Sequence, residues 1–194
     1  EPSETDTVVN GLVAAYPEVA GIGPDPLFPA IVHRLDTETA GVMLAARTKA
    51  AYDALRRQFR DKRVSKKYVA LVCGRLNENA SLENWLAHSS SGPHRMLVVE
   101  KSARQAMMAI TEYTVLEAFP SHTLLDVIIR TGVTHQIRCQ LAHIGHPLAG
   151  DVLYGLREAA AVYEGRLFLH ACEVSFAYPV TGVDRCFRCA LPDE

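Results

Sequence analysis

The sequence predicts an α+β domain on a largely antiparallel, mixed central sheet flanked by helices and loops. Segments with the two-residue apolar alternation of strands outnumber segments with helical spacing. The predicted strands also follow one another in sets, without the strict strand–helix alternation of parallel α/β folds. The chain has 194 residues, 48% of them hydrophobic, which is enough for one domain with its own core over residues 1–194.

Three segments have helical spacing together with the residues that begin and end helices. Their expected limits are Thr7 or Asp6 to Pro17, Thr48 to Phe59, and Thr134 to Gly145. The second is amphipathic, because Tyr52, Leu55 and Phe59 share one face. Its Arg56, Arg57 and Arg60 are expected to point outward.

The expected strands differ in pattern and position. They are a short buried strand at 42–46, an alternating strand at 64–73, and further strands at about 96–100, 110–117, 123–130, 167–177 and 186–191. The most polar stretch, His88 to His94, is expected to form an exposed loop within the domain.

Composition restricts the class of protein. No run of about 18 apolar residues is present, so we expect no membrane span. The first residues lack the basic start and apolar core of a secretory signal. The five cysteines are odd in number, which favours reduced thiols and a cytoplasmic location. A net charge of −2 neither indicates nor excludes nucleic-acid binding, since cations can cluster on one face.

Three segments place polar side chains between apolar runs. They read HRLDTETAG at 33–41, VSKKYVALV at 64–72 and TGVTHQIR at 131–138. Taken alone, each also fits an ordinary structural role: a polar loop with a capping aspartate, a tyrosine packed in a sheet, and a capping or surface histidine.

Together and in this order, the three segments resemble the motifs of the RluA-type pseudouridine synthase family. The first is similar to that family's His-Arg-Leu-Asp catalytic loop, the second to its Lys-x-Tyr strand, and the third to its Thr-Gly-Arg-Thr-His-Gln-Ile-Arg helix start. The similarity continues through 141–147, 150–151, 154–155, 166–171 and 176–182, so it covers nearly the whole chain from about Thr7.

The resemblance implies an isomerase that acts on a uridine within RNA and needs no metal or cofactor. Asp36 matches the catalytic aspartate, and Arg138 matches the arginine that pairs with it and keeps it charged and oriented. Tyr68 matches the ring on which the uracil stacks, and it is also a candidate proton acceptor at C5. Leu169 is the candidate for the aliphatic wall on the other face of the base. The carboxylate could attack C6 of the uracil or C1′ of the ribose, or assist loss of a ribose proton, and these routes stay open.

The resemblance also implies residues that hold the RNA. The target base must leave the stack, and Arg34 then fills the vacated space or holds the displaced strand. Further substrate-binding residues are His33, Thr134 and Gln136, with phosphate contacts from Lys66, Lys67, His135 and the outward arginines of the second helix. The expected partner is ribosomal or transfer RNA. We expect a monomer that has no obligate protein partner and does not bind a membrane.

Some positions differ from the family pattern. Thr37 and Val133 stand where basic residues are usual, and Ala40 replaces a serine. The chain begins after the family's first strand with its Lys-Pro-x-Gly turn, so we expect either a trimmed strand or a shortened relative.

Three alternatives remain open. The first is a homologue that binds or helps to fold RNA without turning it over. The second is a zinc-binding module that uses His170, Cys172, Cys186 and Cys189. The third is acid–base hydrolysis by Asp36 and Glu38.

Overall fold

The computed structural model describes residues 7–89, 95–155, 163 and 166–192. The chain forms two compact units. The helical unit comprises 1–35, 43–64 and 175–187, and the sheet unit comprises 36–42, 65–174 and 188–194. The prediction of one domain over 1–194 remains a prediction.

Among its described residues, the helical unit contains a short 3-10 helix (Pro17–Gly21) and two α-helices whose ends are set by local chemistry. Helix α1 (Val8–Ala15) is capped by Thr7, whose hydroxyl accepts a hydrogen bond from the backbone N–H of Asn10 at 3.2 Å. Helix α2 (Lys49–Arg60) is capped in the same way by Thr48. The apolar face of α2 buries Tyr52 and Leu55, and its three arginines are exposed. Both predicted helices are confirmed.

In the part of the chain that the structure describes, eight strands form one sheet. They are β1 (Ala40–Gly41), β2 (Ser65–Cys73), β3 (Ala80–His88), β4 (Met96–Val99), β5 (Met107–Ala118), β6 (His122–Ile129), β7 (Leu169–Ala177) and β8 (Asp184–Arg188). The order is β1-β7-β2-β6-β5-β3-β4, and β8 also pairs with β7. The β1–β7 pair is parallel, whereas β2–β6, β5–β6, β3–β5 and β3–β4 are antiparallel. The predicted α+β class with a largely antiparallel sheet is confirmed.

Helix α3 (Gln136–His143) belongs to the sheet unit and is buried along most of its length. It begins two residues later than predicted, because His135 has a left-handed backbone with φ 50° and cannot be part of the helix. It ends as predicted, with Gly145 at φ 86° just beyond the last turn.

Other predictions need correction. The strand predicted at 42–46 is wrong: hydrogen bonding to β7 ends at Val42, and Ala45 makes only an isolated bridge with Ile31. Strand β3 was not predicted, and His88, expected in a loop, is its last residue. Ser89, which follows β3, is buried rather than exposed, and 90–94 lie outside the described residues. The last strand ends at Arg188 rather than 191.

Within the described ranges, no helix is long and apolar enough to cross a membrane.

Candidate active site

Asp36 lies in a tight turn at the edge of the sheet. The backbone N–H of Thr39 donates to the Asp36 carbonyl at 2.9 Å, and the chain then enters β1 beside β7. Gly41 has φ +124°, and a Cβ there would lie 2.3 Å from the carbonyl oxygen of Ala171. Only glycine allows this approach. The parallel pairing therefore holds the turn in place and leaves the Asp36 side chain 16% exposed.

Arg138 on α3 forms a buried ion pair with Asp151. Its Nε and one terminal nitrogen (Nη2) donate to the two Asp151 oxygens at 2.8 Å each. The two side chains are 2% and 0% exposed. Burial alone would raise the pKa of Asp151, but Arg138 and the backbone N–H groups of Tyr154 and Leu153 hold it below its ordinary value.

The remaining terminal nitrogen of Arg138, Nη1, faces two other carboxylates. It lies 3.3 Å from Oε2 of Glu38 and 3.7 Å from Oδ2 of Asp36. The second distance allows an ion pair but is too long for a direct hydrogen bond. The predicted neighbours Asp36 and Arg138 are thus brought together, while the principal partner of the guanidinium is Asp151.

His135 lies beside the same carboxylate. Its Nε2 is 4.0 Å from Oδ2 of Asp36, and its Nδ1 is 3.1 Å from the hydroxyl of Tyr154. The tyrosine ring stands edge-on to the imidazole. Burial lowers the pKa of His135, outweighing the opposing effect of the Asp36 carboxylate. At neutral pH this ring is therefore uncharged, and as a neutral group it would bind a phosphate weakly.

Tyr68 and Leu169 lie on the neighbouring strands β2 and β7 and are both buried. Tyr68 is 6% exposed. Burial, assisted by the charge of Asp36, raises the pKa of Tyr68 well above its ordinary value. The phenol therefore keeps its proton at neutral pH, so it is a better stacking surface than a resting base.

The two predicted phosphate-binding lysines of β2 both have partners within the sheet unit. Lys66 donates to the carbonyl of Thr131 at 3.3 Å, and burial lowers its pKa to about 8. Lys67 forms an ion pair with Asp126 at 2.7 Å, and that hydrogen bond raises its pKa. A phosphate would have to compete with these contacts.

Gln136 is 3% exposed and its amide is fully engaged. The amide oxygen accepts from the hydroxyl of Thr131 and the backbone N–H of Val133, and the nitrogen donates to Ile110 and Thr111 on β5. Thr134 is half-buried beside it. Gln136 therefore ties the start of α3 to the sheet.

His33 and Arg34 belong to the helical unit. His33 accepts the backbone N–H of Leu44 at 2.9 Å through Nε2, and its ring stacks on Phe59 at 4.8 Å. This arrangement is that of a structural histidine. Arg34 is exposed to solvent.

Asp151 and Tyr154 were not among the predicted site residues, although both lie in segments that carry the family resemblance. Their roles depend on contacts with α3 across the fold, which neither spacing nor periodicity reveals.

The described residues contain no group of three or more His, Cys, Asp or Glu side chains that could hold a metal ion. His170 uses its Nε2 to donate to the carbonyl of Cys189 at 3.1 Å, so that nitrogen already has a partner. The described geometry gives the zinc alternative no support.

Comparison with known proteins identifies the family. The model of a family described as RNA pseudouridylate synthase matches residues 23–143. An uncharacterized RNA pseudouridine synthase of Chloroflexus aurantiacus is 39% identical over 97% of this chain and 57% of its own length. Ribosomal large subunit pseudouridine synthase D of Blochmanniella floridana is 32% identical over 97% of the chain and 61% of its own length.

The fold has a solved counterpart. The structure of human RNA pseudouridylate synthase domain containing 1 superposes with a TM-score of 0.78 and 26% identity, covering 98% of this chain and 76% of that one. The chain spans 57% and 61% of the two curated relatives named above. The family match, the relatives and the shared fold establish that this chain belongs to the RNA pseudouridylate synthase family, as an RluA-type pseudouridine synthase domain.

Proposed function

We propose that this chain converts uridine to pseudouridine within RNA, with Asp36 as the catalytic carboxylate. The observation that carries the proposal is the position of Asp36. Its Oδ2 lies 3.7 Å from a guanidinium that is itself fixed by two hydrogen bonds to Asp151. A partly exposed carboxylate beside a buried, anchored cation is a suitable nucleophile, because the cation stabilises the anionic form.

The reaction rearranges bonds within one nucleotide. The bond from C1′ to N1 breaks, the uracil turns, and a bond from C1′ to C5 forms. The proton leaves C5 and N1 gains one, so the product is an isomer of the substrate. Asp36 can act at C6, at C1′ or on a ribose proton, and all three routes require its ionised form. On each route, Nη1 of Arg138 is the cation that faces the carboxylate, at 3.7 Å from Oδ2.

The base is held between Tyr68 and Leu169. A phenol ring offers a flat surface on which any pyrimidine stacks, and Leu169 forms the opposite wall. Tyr68 is only 6% exposed, so uracil reaches it after neighbouring groups move. We therefore propose that RNA binding flips the base and opens this site together, with Arg34 taking the place of the base.

RNA is held mainly by exposed cations. The arginines of α2 face solvent, whereas Lys66 and Lys67 have protein partners. We propose large-subunit ribosomal RNA as the substrate, because several relatives carry that name, and transfer RNA as the comparison. The free cysteines favour a reducing compartment such as the cytoplasm, and we propose that the chain acts there as a monomer.

The decisive variant is Asp36→Asn, which keeps the shape of the side chain and removes its charge. We expect pseudouridine formation to fall at least 1,000-fold, on the order of the loss seen when a nucleophile is removed. RNA affinity and the unfolding midpoint should change little. The matched control is Asp184→Asn, which alters an exposed carboxylate on β8, away from the arginines of α2. Product should be measured in a fragment of ribosomal RNA, and near-normal turnover by Asp36→Asn would refute the assignment.

A second candidate is an RNA-binding homologue that does not turn its RNA over. The covered ring of Tyr68 and the apolar Val133 at a usually basic position favour it. This reading requires the unmodified chain to bind ribosomal or transfer RNA without forming any product. A stoichiometric burst of pseudouridine in a single-turnover assay would exclude it.

A further inference from the structure

We infer that His135 is a positioning residue for Asp36, held by Tyr154 in the tautomer that points its Nε2–H at the carboxylate. The inference rests on the proposed function. It gives His135 a role different from the phosphate contact that the family resemblance implied.

The contacts of Tyr154 decide which groups donate and which accept in these hydrogen bonds. The backbone N–H of Met96 lies 2.8 Å from the phenol oxygen, and a backbone N–H can only donate. The phenol oxygen accepts that bond and keeps one proton to give. Within the described residues its other hydrogen-bond partner is Nδ1 of His135, at 3.1 Å. If Nδ1 donated instead, the phenol O–H would have no acceptor among the described residues, so we assign the phenol O–H as the donor and Nδ1 as the acceptor.

The phenol keeps this proton over the working range of pH. Burial raises the pKa of Tyr154 to about 12, despite the hydrogen bond from Met96 and the charge of Arg138. Since Nδ1 accepts a hydrogen bond, a neutral imidazole must carry its proton on Nε2. Nε2 is the nitrogen that lies 4.0 Å from Oδ2 of Asp36.

The backbone and the surrounding charges support this orientation. His135 adopts φ 50° and ψ 24°, a left-handed conformation that costs energy for a residue with a Cβ. The hydrogen bond and the edge-on ring contact with Tyr154 hold the imidazole in place. Burial has the largest effect on the pKa of His135 and lowers it, and the charge of Arg138 lowers it further. The carboxylates of Asp36, Asp151 and Glu38 raise this pKa by less, so the neutral ring is favoured.

The two oxygens of Asp36 therefore have different roles: Oδ2 is held by the protein, and Oδ1 is available for the reaction. Oδ2 faces both the Nη1 of Arg138 and the Nε2 of His135. The shortest approaches of Arg138 and His135 to this carboxylate are both to Oδ2, and no described residue donates a hydrogen bond to Oδ1. A shift of about 1 Å would bring the His135 donor to hydrogen-bond length, as happens when substrate closes a site. His135 and Arg138 then hold Oδ2 while Oδ1 remains free to react.

The first test is independent of activity. Ring-nitrogen NMR on the full chain, labelled at histidine, should report a bare Nδ1 and a protonated Nε2 for His135 at pH 7 to 8. Tyr154→Phe removes the phenol O–H and keeps the ring, so the same signal should change to a mixture of tautomers. A protonated Nδ1 in the unmodified chain would overturn the inference, whether or not the chain makes pseudouridine.

The second test separates positioning from phosphate binding. Tyr154→Phe and His135→Leu should each lower kcat about tenfold or more, the effect of losing one hydrogen bond, with RNA affinity and its salt dependence unchanged. His135→Gln, which can still present a terminal N–H, should recover part of kcat. The control Tyr113→Phe removes a phenol O–H on β5 and should leave both constants unchanged.

Two results would overturn the role. One is a weaker, less salt-dependent RNA affinity in His135→Leu at unchanged kcat, which would identify a phosphate contact. The other is equal loss of kcat in His135→Gln and His135→Leu. Failure of the proposed function itself would look different, because the unmodified chain would then make no product while the tautomer signal stayed as expected.

Discussion

Arg138 is the residue at which the charges of the site converge. One guanidinium faces three carboxylates, those of Asp151, Glu38 and Asp36. Asp151 occupies two of its donor positions and leaves Nη1 for the other two acids. The nitrogens of the planar guanidinium therefore have two roles. Nε and Nη2 anchor the side chain in the core, and Nη1 faces the proposed nucleophile.

Arg138→Lys should separate these two tasks. A lysine ammonium is a point charge and cannot span Asp151 and Asp36 together. We expect kcat to fall at least 100-fold, the order found when one stabilising donor is lost from a catalytic site. Single-turnover assays of pseudouridine formation would measure it. Arg130→Lys is the matched control, since Arg130 makes a similar two-bond pair with Glu112 on the surface. Full activity in Arg138→Lys would contradict the pairing with Asp36.

Asp151→Asn tests the anchor itself. Arg138 would lose its buried counter-ion, and breaking such a pair costs about 3–5 kcal/mol. The folded pKa of Asp151 is below its ordinary value, so its contribution is fully present above the unfolded pKa of about 4 and is lost as pH falls through the folded pKa. The difference from the unmodified chain should therefore be large at pH 7 and shrink below pH 4. Urea unfolding at pH 7, 5 and 3.5 would measure it, and a difference independent of pH would argue against the ion pair.

At the scale of elements, α3 is joined to the sheet by two buried amides. Gln136 bonds to Thr131, Val133, Ile110 and Thr111, and Gln140 bonds to Leu82, Asn84, Ala109 and Thr111. Amide hydrogen bonds are directional, so they fix both the rotation and the height of the helix over β5. This register brings Arg138 and His135 to the carboxylate of Asp36.

Gln136→Leu distinguishes this structural role from the substrate contact predicted by resemblance. The leucine would leave the Val133 N–H without a partner and the Thr131 hydroxyl without an acceptor, at about 1–3 kcal/mol for each group. The Ile110 carbonyl would keep the hydrogen bond from the backbone N–H of Arg130. We expect a clear loss of stability in urea, with RNA affinity preserved while the chain is folded. Gln140→Leu is the parallel variant, because it breaks the same kind of network without a predicted RNA contact. Weaker RNA binding at unchanged stability in Gln136→Leu would favour the substrate role instead.

At the scale of the whole molecule, sequence predicts features that local chemistry decides. Helices α1 and α2 begin where threonine caps them, and β2 follows from its alternation. Strand β3 was not predicted because Glu83 and Asn84 interrupt its apolar pattern. Its backbone hydrogen bonds with β4 and β5 stabilise the strand although its sequence does not indicate one.

For the candidate site too, the sequence predicts some features and the folded structure alone supplies the others. The motifs name Asp36, Tyr68 and Arg138, but not their geometry. The Arg138–Asp151 pair and the Tyr154–His135 contact join residues that lie apart in sequence, so they arise only when α3 and the segment after Gly150 fold together. The left-handed backbone of His135 likewise has no clear signal in the sequence, since a positive φ is uncommon for any residue other than glycine and most histidines do not adopt it.

The chain has a net charge of −2, yet the proposed function requires it to bind RNA, which is also negatively charged. We predict that a local cluster of positive charges binds the RNA, with the exposed arginines of α2 as the principal contacts. Arg57→Gln combined with Arg60→Gln should weaken RNA binding. Two lost phosphate contacts should make the slope of log K against log salt shallower by about 1.4–1.8. At saturating RNA, kcat should stay within about twofold, because these arginines hold RNA and take no part in the chemistry.

The matched control is Arg75→Gln combined with Arg104→Gln, which removes the same charge from two exposed positions of the sheet unit. Binding titrations between about 50 and 200 mM salt give the slope. If both double variants lose affinity equally, the attraction is a general effect of charge and α2 is not a specific contact. If only the α2 variant does so, a weakly acidic chain recognises RNA through one basic helix. The buried Arg138, whose charge is balanced by carboxylates, would then serve the reaction alone.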